Sequence, residues 1–207
     1  MARIGLGAGD QFGFALAGGY AVQAAGLLER PSEDVDLFTS WDRRSDFNAA
    51  VAAVVDAYTN NGLKVSIDVQ FETFARLIVA DGQQVSKVEL GVDWRANDPV
   101  VMAIGPVLHP DDAVANKMAA LYGRASARDF IDIDAAVSSG RYDHETLLRF
   151  AERADSGFDR GFFAAALGRA QVLDDDTFAE YGLDGPALEA LRTRFAAWRA
   201  TLLNAQA

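Results

Sequence analysis

The sequence contains no cysteine, only two histidines and no long apolar run. The absence of cysteine excludes disulfide frameworks and thiolate metal sites. His109 and His144 are the two histidines, and they show no spacing toward a partner, so we assign neither a metal nor a catalytic role. No stretch approaches the roughly 18 uncharged apolar residues of a membrane span. We therefore expect a cytoplasmic protein with no membrane partner.

Basic residues are also scarce, because 19 Lys and Arg stand against 30 Asp and Glu, a formal net charge of −11 at pH 7. Phosphate backbones attract basic surfaces, so this balance argues against a generic nucleic-acid binder, and we predict no DNA partner. Of the 207 residues, 50% are hydrophobic, which is enough for a real core in one domain or two small ones.

The most informative segment, residues 16–38, combines two glycines with two aspartates. Gly18 and Gly19 open a helix-length apolar stretch, where backbone N–H groups can approach a phosphate closely. Asp34 and Asp36 follow in a strand-like pattern, and alternation along a strand places both carboxylates on one face. Two adjacent carboxylates are unfavourable unless a cation neutralises them, and their hard oxygens favour Mg²⁺. This order predicts phosphoryl or nucleotidyl transfer, and a solvated strand edge with an ordinary glycine turn is the structural alternative.

The first half of the chain, residues 1–107, alternates strands with helices and predicts a small mixed sheet. A helix is expected to begin with Ser45 as its N-cap, and Asp81 and Gly82 predict a hairpin turn. The remaining segments follow hydrophobic periodicity: we expect a helix over about 20–28, a helix through 47–58, and strands over 12–17, 34–38, 65–71, 74–80 and 84–94.

The last of these strands carries a second acidic face, with Lys87, Glu89 and Asp93 on the side opposite its apolar residues. If it lies beside the 34–38 strand, Glu89 or Asp93 completes a three-carboxylate cluster. Two-metal sites use such a cluster to hold cations about 4 Å apart around the attacking and leaving oxygens. Glu89 is the preferred metal ligand, because its apolar and β-branched neighbours hold it rigidly, and an ordinary solvated face is the alternative.

The second half, residues 108–207, predicts a helical domain. Lys117 lies in a mostly apolar helix that Asp111 or Asp112 can cap, and burying its ammonium is expensive without an anionic partner. Arg124, seven positions later, would share its face if the helix continues. Such a lysine can contact nucleotide phosphates, or its stem can cover the core while its head stays in water. Further helices are expected from 129 and over 144–154, 159–170 and 186–203.

These residues together resemble the AbiEii-type nucleotidyltransferase family, which belongs to the DNA-polymerase-β-like superfamily. The resemblance runs over residues 16–137, and its motifs occur in the family's order: Gly18-Gly19, Ser32, Asp34, Asp36, Lys117-x-x-Ala120-Leu121, Arg124 and Arg128-Asp129-x-x-Asp132.

The resemblance implies an α+β fold, in which a small nucleotidyltransferase sheet (residues 1–107) is followed by a helical domain (108–207) that completes the active-site cleft. It implies Mg²⁺, or Mn²⁺, with a nucleoside triphosphate as substrate. Asp34 and Asp36 would ligate the metal, with Asp36 and Glu89 nearest the attacking oxygen. Asp129 or Asp132 would match the acidic residue of the family's RDxxD-like motif, which comes late in the sequence. The implied triphosphate contacts are Gly18, Gly19, Ser32, Lys117, Arg124 and Arg128.

The implied reaction transfers a nucleoside monophosphate to an acceptor hydroxyl and releases pyrophosphate. Relatives include toxins of toxin–antitoxin systems, some of which add nucleotides to the acceptor end of tRNA, so we expect a tRNA acceptor and a possible cognate antitoxin. One alternative is a small-molecule enzyme of the aminoglycoside type, since the acidic composition suits a cationic acceptor. The other is a catalytically silent triphosphate-binding relative, because Tyr20 stands where family members often have a small hydroxyl residue.

Overall fold

The computed structural model describes residues 1–28, 34–82 and 84–205 and divides into two compact units, Met1–Ala113 and Val114–Ala207. This division lies inside helix α4 (Pro110–Gly123), whereas the sequence placed a functional boundary between residues 107 and 108. The expected triphosphate contact Ser32 lies outside the described residues.

Within the described residues, the first unit contains a seven-stranded mixed sheet with the strand order β3-β4-β5-β2-β1-β7-β6. Strands β2 and β5 are parallel, as are β1 and β7, and the other neighbours are antiparallel. The elements in chain order are α1 (Ala2–Gly9), a 3₁₀ turn (Asp10–Phe12), β1 (Ala15–Leu16), α2 (Gly18–Ala24), β2 (Val35–Ser40), a 3₁₀ segment (Trp41–Asp46), α3 (Phe47–Asn60), β3 (Lys64–Gln70), β4 (Phe74–Asp81), β5 (Gln84–Asp93), β6 (Val100–Met102) and β7 (Gly105–Val107).

Strand β2 lies at the centre of this sheet and alternates strictly between buried and half-buried residues. Val35 and Leu37 face the core, which places Asp36 on the opposite face. The same core contains buried side chains from the sheet and from α3: Leu77, Val79, Val88, Leu90, Phe47, Val51, Val54 and Tyr58. Each fully buried aliphatic side chain contributes about 1.5–3 kcal/mol to the free energy of folding. Strand β2 is therefore a rigid support for Asp36.

The second unit is helical and packs around aromatic side chains. Phe130 meets Phe195 edge-on at 4.9 Å between ring centroids, and the His144 ring stacks on Trp198 at 4.0 Å. After α4, its helices are α5 (Ala127–Ser138), α6 (His144–Ala154), α7 (Arg160–Leu167), α8 (Asp175–Ala179) and α9 (Gly185–Asn204). No helix among residues 1–28, 34–82 and 84–205 is long and apolar enough to cross a membrane.

The predicted α+β class with a mixed sheet is confirmed, and the hairpin at Asp81 and Gly82 joins β4 to β5. Four elements were not anticipated: α1, α8 and the short strands β6 and β7. Strands of three residues carry too little alternation for a period of two to be recognised. The expected strand over 12–17 is limited to Ala15–Leu16.

Three local assignments are corrected by the structure. The N-cap of α3 is Asp46 rather than Ser45. Asp112 does not cap α4, because its carboxylate accepts the backbone N–H groups of Ala96 and Asn97, both at 2.9 Å. The strand over 65–71 was predicted from an alternation that puts Ile67 on its apolar face, but β3 lies at the sheet edge and Ile67 is 49% exposed.

Candidate active site

The first glycine of the Gly18-Gly19 pair lies directly against the carboxylate of Asp36. A Cβ built on Gly18 would lie 1.7 Å from Asp36 Oδ2, and the backbone of Gly18 has φ of +59°. The backbone N–H of Ala17 also donates to the Asp36 carbonyl oxygen at 2.8 Å. Only glycine satisfies both the left-handed conformation and the close approach. The structure therefore brings together the two motifs that the sequence singled out in residues 16–38.

The strand pairing explains this contact. Strand β1 is antiparallel to β2, with Leu16 opposite Leu37, so the chain leaving β1 passes over Asp36 as it enters α2. The amides of Gly18, Gly19 and Tyr20 precede the first bond within α2, which runs from Ala21 N–H to the Ala17 carbonyl at 3.2 Å. Amides at the start of a helix have no intrahelical acceptor and are available to an oxyanion.

Tyr20 follows the glycine pair, at the position where the family resemblance implied a small hydroxyl residue. Its side chain is half-buried and packs against the hydrophobic core of the first unit. An apolar packing contact gives Tyr20 a structural reason to be large at this position.

Glu89 lies beside Asp36, because β5 is parallel to β2 with these two residues in register, which is the strand neighbourhood that the predicted carboxylate cluster required. Its carboxylate is held by Arg76 on the next strand, β4, which is directly opposite Glu89. Both Nε and Nη2 of Arg76 lie 2.8 Å from Glu89 Oε1, and Arg76 Nη1 lies 3.7 Å from Asp68 Oδ2. Asp36, Glu89 and Arg76 thus form a row across three adjacent strands.

The carboxylates of Glu89, Asp68 and Asp34 all act on the charge of Arg76. The hydrogen bond to Glu89 and the Glu89 charge raise the pKa of the Arg76 guanidinium, and the charges of Asp68 and Asp34 add to this increase. Arg76 is the counter-charge of the row, and sequence reasoning missed it. The predicted hairpin could have identified this pair, because Asp81 and Gln84 are opposite each other at its turn. Arg76 is five residues before Asp81 and Glu89 is five residues after Gln84, so the two lie opposite each other.

The carboxylates around Asp36 determine whether this site can hold a divalent cation. Within the described part of the chain, no three His, Cys, Asp or Glu side chains converge closely enough to hold a metal ion together. The expected three-carboxylate arrangement is not assembled, since Glu89 is bonded to Arg76. Asp34 and Asp36 still supply carboxylate oxygens of the type that Mg²⁺ binds, and the Asp36 carboxylate occupies the space that a side chain at Gly18 would fill.

Asp93, the weaker candidate for a third carboxylate, lies elsewhere. It is in register with Ser40, at the far end of β2 and β5. It is the fourth residue after Glu89, a distance of about 13 Å at the rise of a strand. The structure therefore does not bring Asp93 to Asp36.

In the second unit, Lys117 on α4 pairs with Asp132 on α5. The Lys117 Nζ lies 2.8 Å from Asp132 Oδ2, and the two side chains are 9% and 1% exposed. Lys117 therefore has the anionic partner that its burial requires, rather than a head in water. The partner is the second acidic residue of the Arg128-Asp129-x-x-Asp132 motif.

The first acidic residue of that motif, Asp129, is fully buried at the start of α5. Its oxygens accept from Arg124 Nε and Nη2, both at 2.8 Å, and from the Oγ and N–H of Ser126. Burial alone would raise the pKa of the Asp129 carboxyl, but the bonds from Arg124 and Ser126 outweigh it and lower that pKa. Arg128 lies half-buried in the first turn of the same helix.

The family model described as "Nucleotidyl transferase AbiEii toxin, Type IV TA system" matches residues 7–205. No match was found among curated proteins.

Among solved structures, a candidate nucleotidyltransferase from H. pylori is 18% identical with a TM-score of 0.56, covering 97% of this chain and 90% of its own. JHP933 from Helicobacter pylori is 19% identical with a TM-score of 0.50, covering 99% and 94%. MenT4, a nucleotidyltransferase toxin from Mycobacterium tuberculosis, is 18% identical with a TM-score of 0.55, covering 88% and 74%. At these identities the likeness establishes a shared fold.

Proposed function

Because the chain belongs to the AbiEii nucleotidyltransferase toxin family and is a nucleotidyltransferase, we propose that it transfers a nucleoside monophosphate from a nucleoside triphosphate to an acceptor hydroxyl, with release of pyrophosphate. The observation that carries this proposal is the contact between Gly18 and the Asp36 carboxylate. It supports a phosphate-binding loop and a metal-binding carboxylate acting at one place.

Asp34 and Asp36 are the proposed ligands of Mg²⁺, or of Mn²⁺. A divalent cation bound there supplies Lewis-acid polarisation of the phosphoryl oxygens. The amides of Gly18 and Gly19 are proposed to contact the triphosphate. Glu89 stays the proposed third carboxylate, and Arg76, which is bonded to it, is proposed to compete with the cation for this carboxylate.

The roles of the remaining motif residues rest on the family resemblance. Arg124, Arg128, Lys117 and Ser32 are proposed nucleotide contacts. Among the late acidic residues, the four hydrogen bonds to Asp129 favour a positioning role for this carboxylate. The direct bond from Lys117 to Asp132 favours Asp132 as the residue that orients the lysine.

We propose tRNA as the acceptor and a cognate antitoxin as a partner, in the cytoplasm. The family description names a type IV toxin–antitoxin system, and MenT4 is described as a nucleotidyltransferase toxin. A nucleotidyltransferase needs a hydroxyl nucleophile, and the acceptor end of an RNA provides one.

The test is incubation of the protein with each labelled nucleoside triphosphate, Mg²⁺ and total cellular RNA, followed by separation by size. We expect label in the tRNA fraction with the wild-type chain. Asp36→Asn should abolish the transfer and leave the fold intact, because it removes a metal-binding charge from a rigid strand. Asp56→Asn is the matched control, since it removes an equal charge from an exposed position on α3. An unchanged transfer rate in Asp36→Asn would refute the assignment.

A second candidate acceptor is a cationic small molecule of the aminoglycoside type. The formal net charge of −11 favours a cationic acceptor over an RNA. Parallel reactions with aminoglycosides in place of RNA separate the two candidates. Triphosphate binding without any labelled product, with Mg²⁺ or Mn²⁺, would instead identify a silent relative.

A further inference from the structure

A cavity of about 530 Å³ lies in the first unit, at the end of β2 that is marked by Ser40. Ser40 is four residues beyond Asp36, about 13 Å along the strand, so this cavity is separate from the candidate active site. Its volume is within the range of about 300–1,000 Å³ that is typical of small-molecule sites. Three segments supply its charged lining: the turn after α1, the 3₁₀ segment after β2, and the loop after β5.

Two arginines on the cavity wall are each held by one main-chain carbonyl. Arg95 Nη2 donates to the Phe38 carbonyl at 2.7 Å, and Arg43 Nη1 donates to the Gln11 carbonyl at 3.1 Å. A guanidinium has five N–H donors, so both retain further donors for a ligand. The Nε–H of Arg95 is buried and has no acceptor among the residues that the structure describes.

The remaining donors of the two guanidinium groups indicate the type of ligand that suits this wall. The Arg95 Nε–H has no surface open to a ligand, so the terminal nitrogens of Arg43 and Arg95 are the groups that a carboxylate or phosphate oxygen would contact.

The loop that carries Arg95 is fixed in place. Asp112 is 2% exposed, and its two carboxylate oxygens accept the N–H groups of Ala96 and Asn97, each at 2.9 Å. Both of these loop residues line the cavity. A ligand would therefore meet a preformed wall, which reduces the entropy cost of binding.

The charges of the lining select among anions. Arg43 and Arg95 are accompanied by three aspartates, Asp10, Asp42 and Asp98. The aspartates repel a polyanion such as a nucleotide, whereas a simple cation would use only the aspartates and none of the donors that Arg43 and Arg95 retain. A ligand that matches a lining of two cations and three anions carries one carboxylate and two positive groups.

We propose that this cavity binds a small zwitterion of the basic α-amino-acid class. Its carboxylate lies between Arg43 and Arg95, and its two cationic groups lie toward Asp10, Asp42 and Asp98. The site is independent of nucleotidyl transfer, so its failure and that of the proposed function are separately observable.

Calorimetric titration of the full chain with L-arginine tests the proposal, with agmatine, L-glutamate and inorganic phosphate as comparison probes. Agmatine keeps both cations of arginine and lacks the carboxylate. We expect saturable binding of L-arginine, with agmatine weaker by about tenfold, the value of one charge-assisted hydrogen bond. Absence of binding by L-arginine, equal binding of agmatine, or tighter binding of phosphate would each overturn the proposal.

Adjacent residues provide matched control variants. Arg43→Gln should weaken L-arginine binding by about tenfold. Arg44→Gln should leave it unchanged, because Arg44 does not line the cavity and donates to the Trp41 carbonyl at 3.0 Å. Asp42→Asn should weaken binding, and Asp46→Asn in the same segment should not. Equal effects within either pair would show that binding occurs elsewhere.

Discussion

Gly18 and Asp36 are packed so closely that an added Cβ on residue 18 would lie 1.7 Å from Asp36 Oδ2. The loop that is proposed to hold a triphosphate and the carboxylate that is proposed to hold its metal therefore cannot move independently. A methyl group at residue 18 must displace either the backbone or the carboxylate.

We expect Gly18→Ala to reduce nucleotidyl transfer by about 100-fold, since a displacement near 1 Å in a catalytic arrangement has that effect. The control is Gly26→Ala, because Gly26 also has a positive φ, of +68°, but nothing lies within 4 Å of its added Cβ. Both variants should lose about 1–2 kcal/mol of unfolding free energy through the left-handed backbone. Transfer rates and urea unfolding curves check this, and wild-type transfer by Gly18→Ala would contradict it.

The bond between Arg76 and Glu89 predicts a change in metal affinity. Arg76→Gln removes a positive charge near Asp34 and releases Glu89 toward Asp36. We expect Mn²⁺ binding without nucleotide to tighten about fivefold or more, since a unit charge several ångströms away is worth on the order of 1 kcal/mol near water. Calorimetry or electron paramagnetic resonance of free Mn²⁺ measures this.

Lys87→Gln is the control for Arg76→Gln. Lys87 is exposed two residues before Glu89 on β5, on the same face of the strand. The Lys87→Gln substitution removes the same charge without breaking the bond between Arg76 and Glu89. An equal gain in Mn²⁺ affinity from both variants would mean that the release of Glu89 contributes nothing.

The main parts of this arrangement could be predicted from the sequence because they depend on short-range periodicity. Alternation along β2 and β5 put Asp36 and Glu89 on polar faces, and the hairpin at Asp81 and Gly82 fixed the register of β4. Arg76 was missed because a pairing between strands is visible only after the register has been counted.

The parts that could not be predicted depend on contacts distant in the sequence. Asp112 is of a residue type that commonly caps helices, and it lies near the start of α4. Its carboxylate instead accepts the backbone N–H groups of Ala96 and Asn97, 15 or more residues earlier. Ile67 has the alternation of a half-buried strand, yet its exposure follows from the position of β3 at the sheet edge. Local pattern does not specify which strand ends the sheet.

The buried pair of Lys117 and Asp132 predicts a large effect on stability. Asp132→Asn leaves a buried ammonium without its anionic partner, and breaking a buried ion pair in this way costs about 3–5 kcal/mol. Asp134→Asn on the same helix is the control. It breaks the bidentate pair with Arg194, in which the Arg194 and Asp134 side chains are 47% and 18% exposed, and it should cost less than the loss of the buried pair because solvent screens it. Equal losses of unfolding free energy in denaturant would contradict the prediction.

The burial of His144 beside Trp198 makes the stability of the second unit depend on pH. The rings are parallel within 4°, and burial lowers the pKa of His144, against a smaller opposing effect from Asp143. The unfolded chain therefore binds a proton near pH 6.5, the ordinary value for histidine, whereas the folded chain binds it only at lower pH. Stability is complete above about pH 6.5 and is lost as pH falls through the folded pKa, by at most about 1.4 kcal/mol per pH unit.

Urea unfolding curves between about pH 8 and pH 5 measure this dependence, with the fluorescence of Trp198 as the signal. His144 is expected to titrate across that range. Trp41 and Trp94 are replaced by phenylalanine in the background chain, so that the signal reports on the second unit. His144→Gln should remove the loss of unfolding free energy below about pH 6.5. His109→Gln should keep it, because His109 is the other histidine and lies outside that unit. If the loss persists in His144→Gln, a group other than the stacked imidazole is responsible for it.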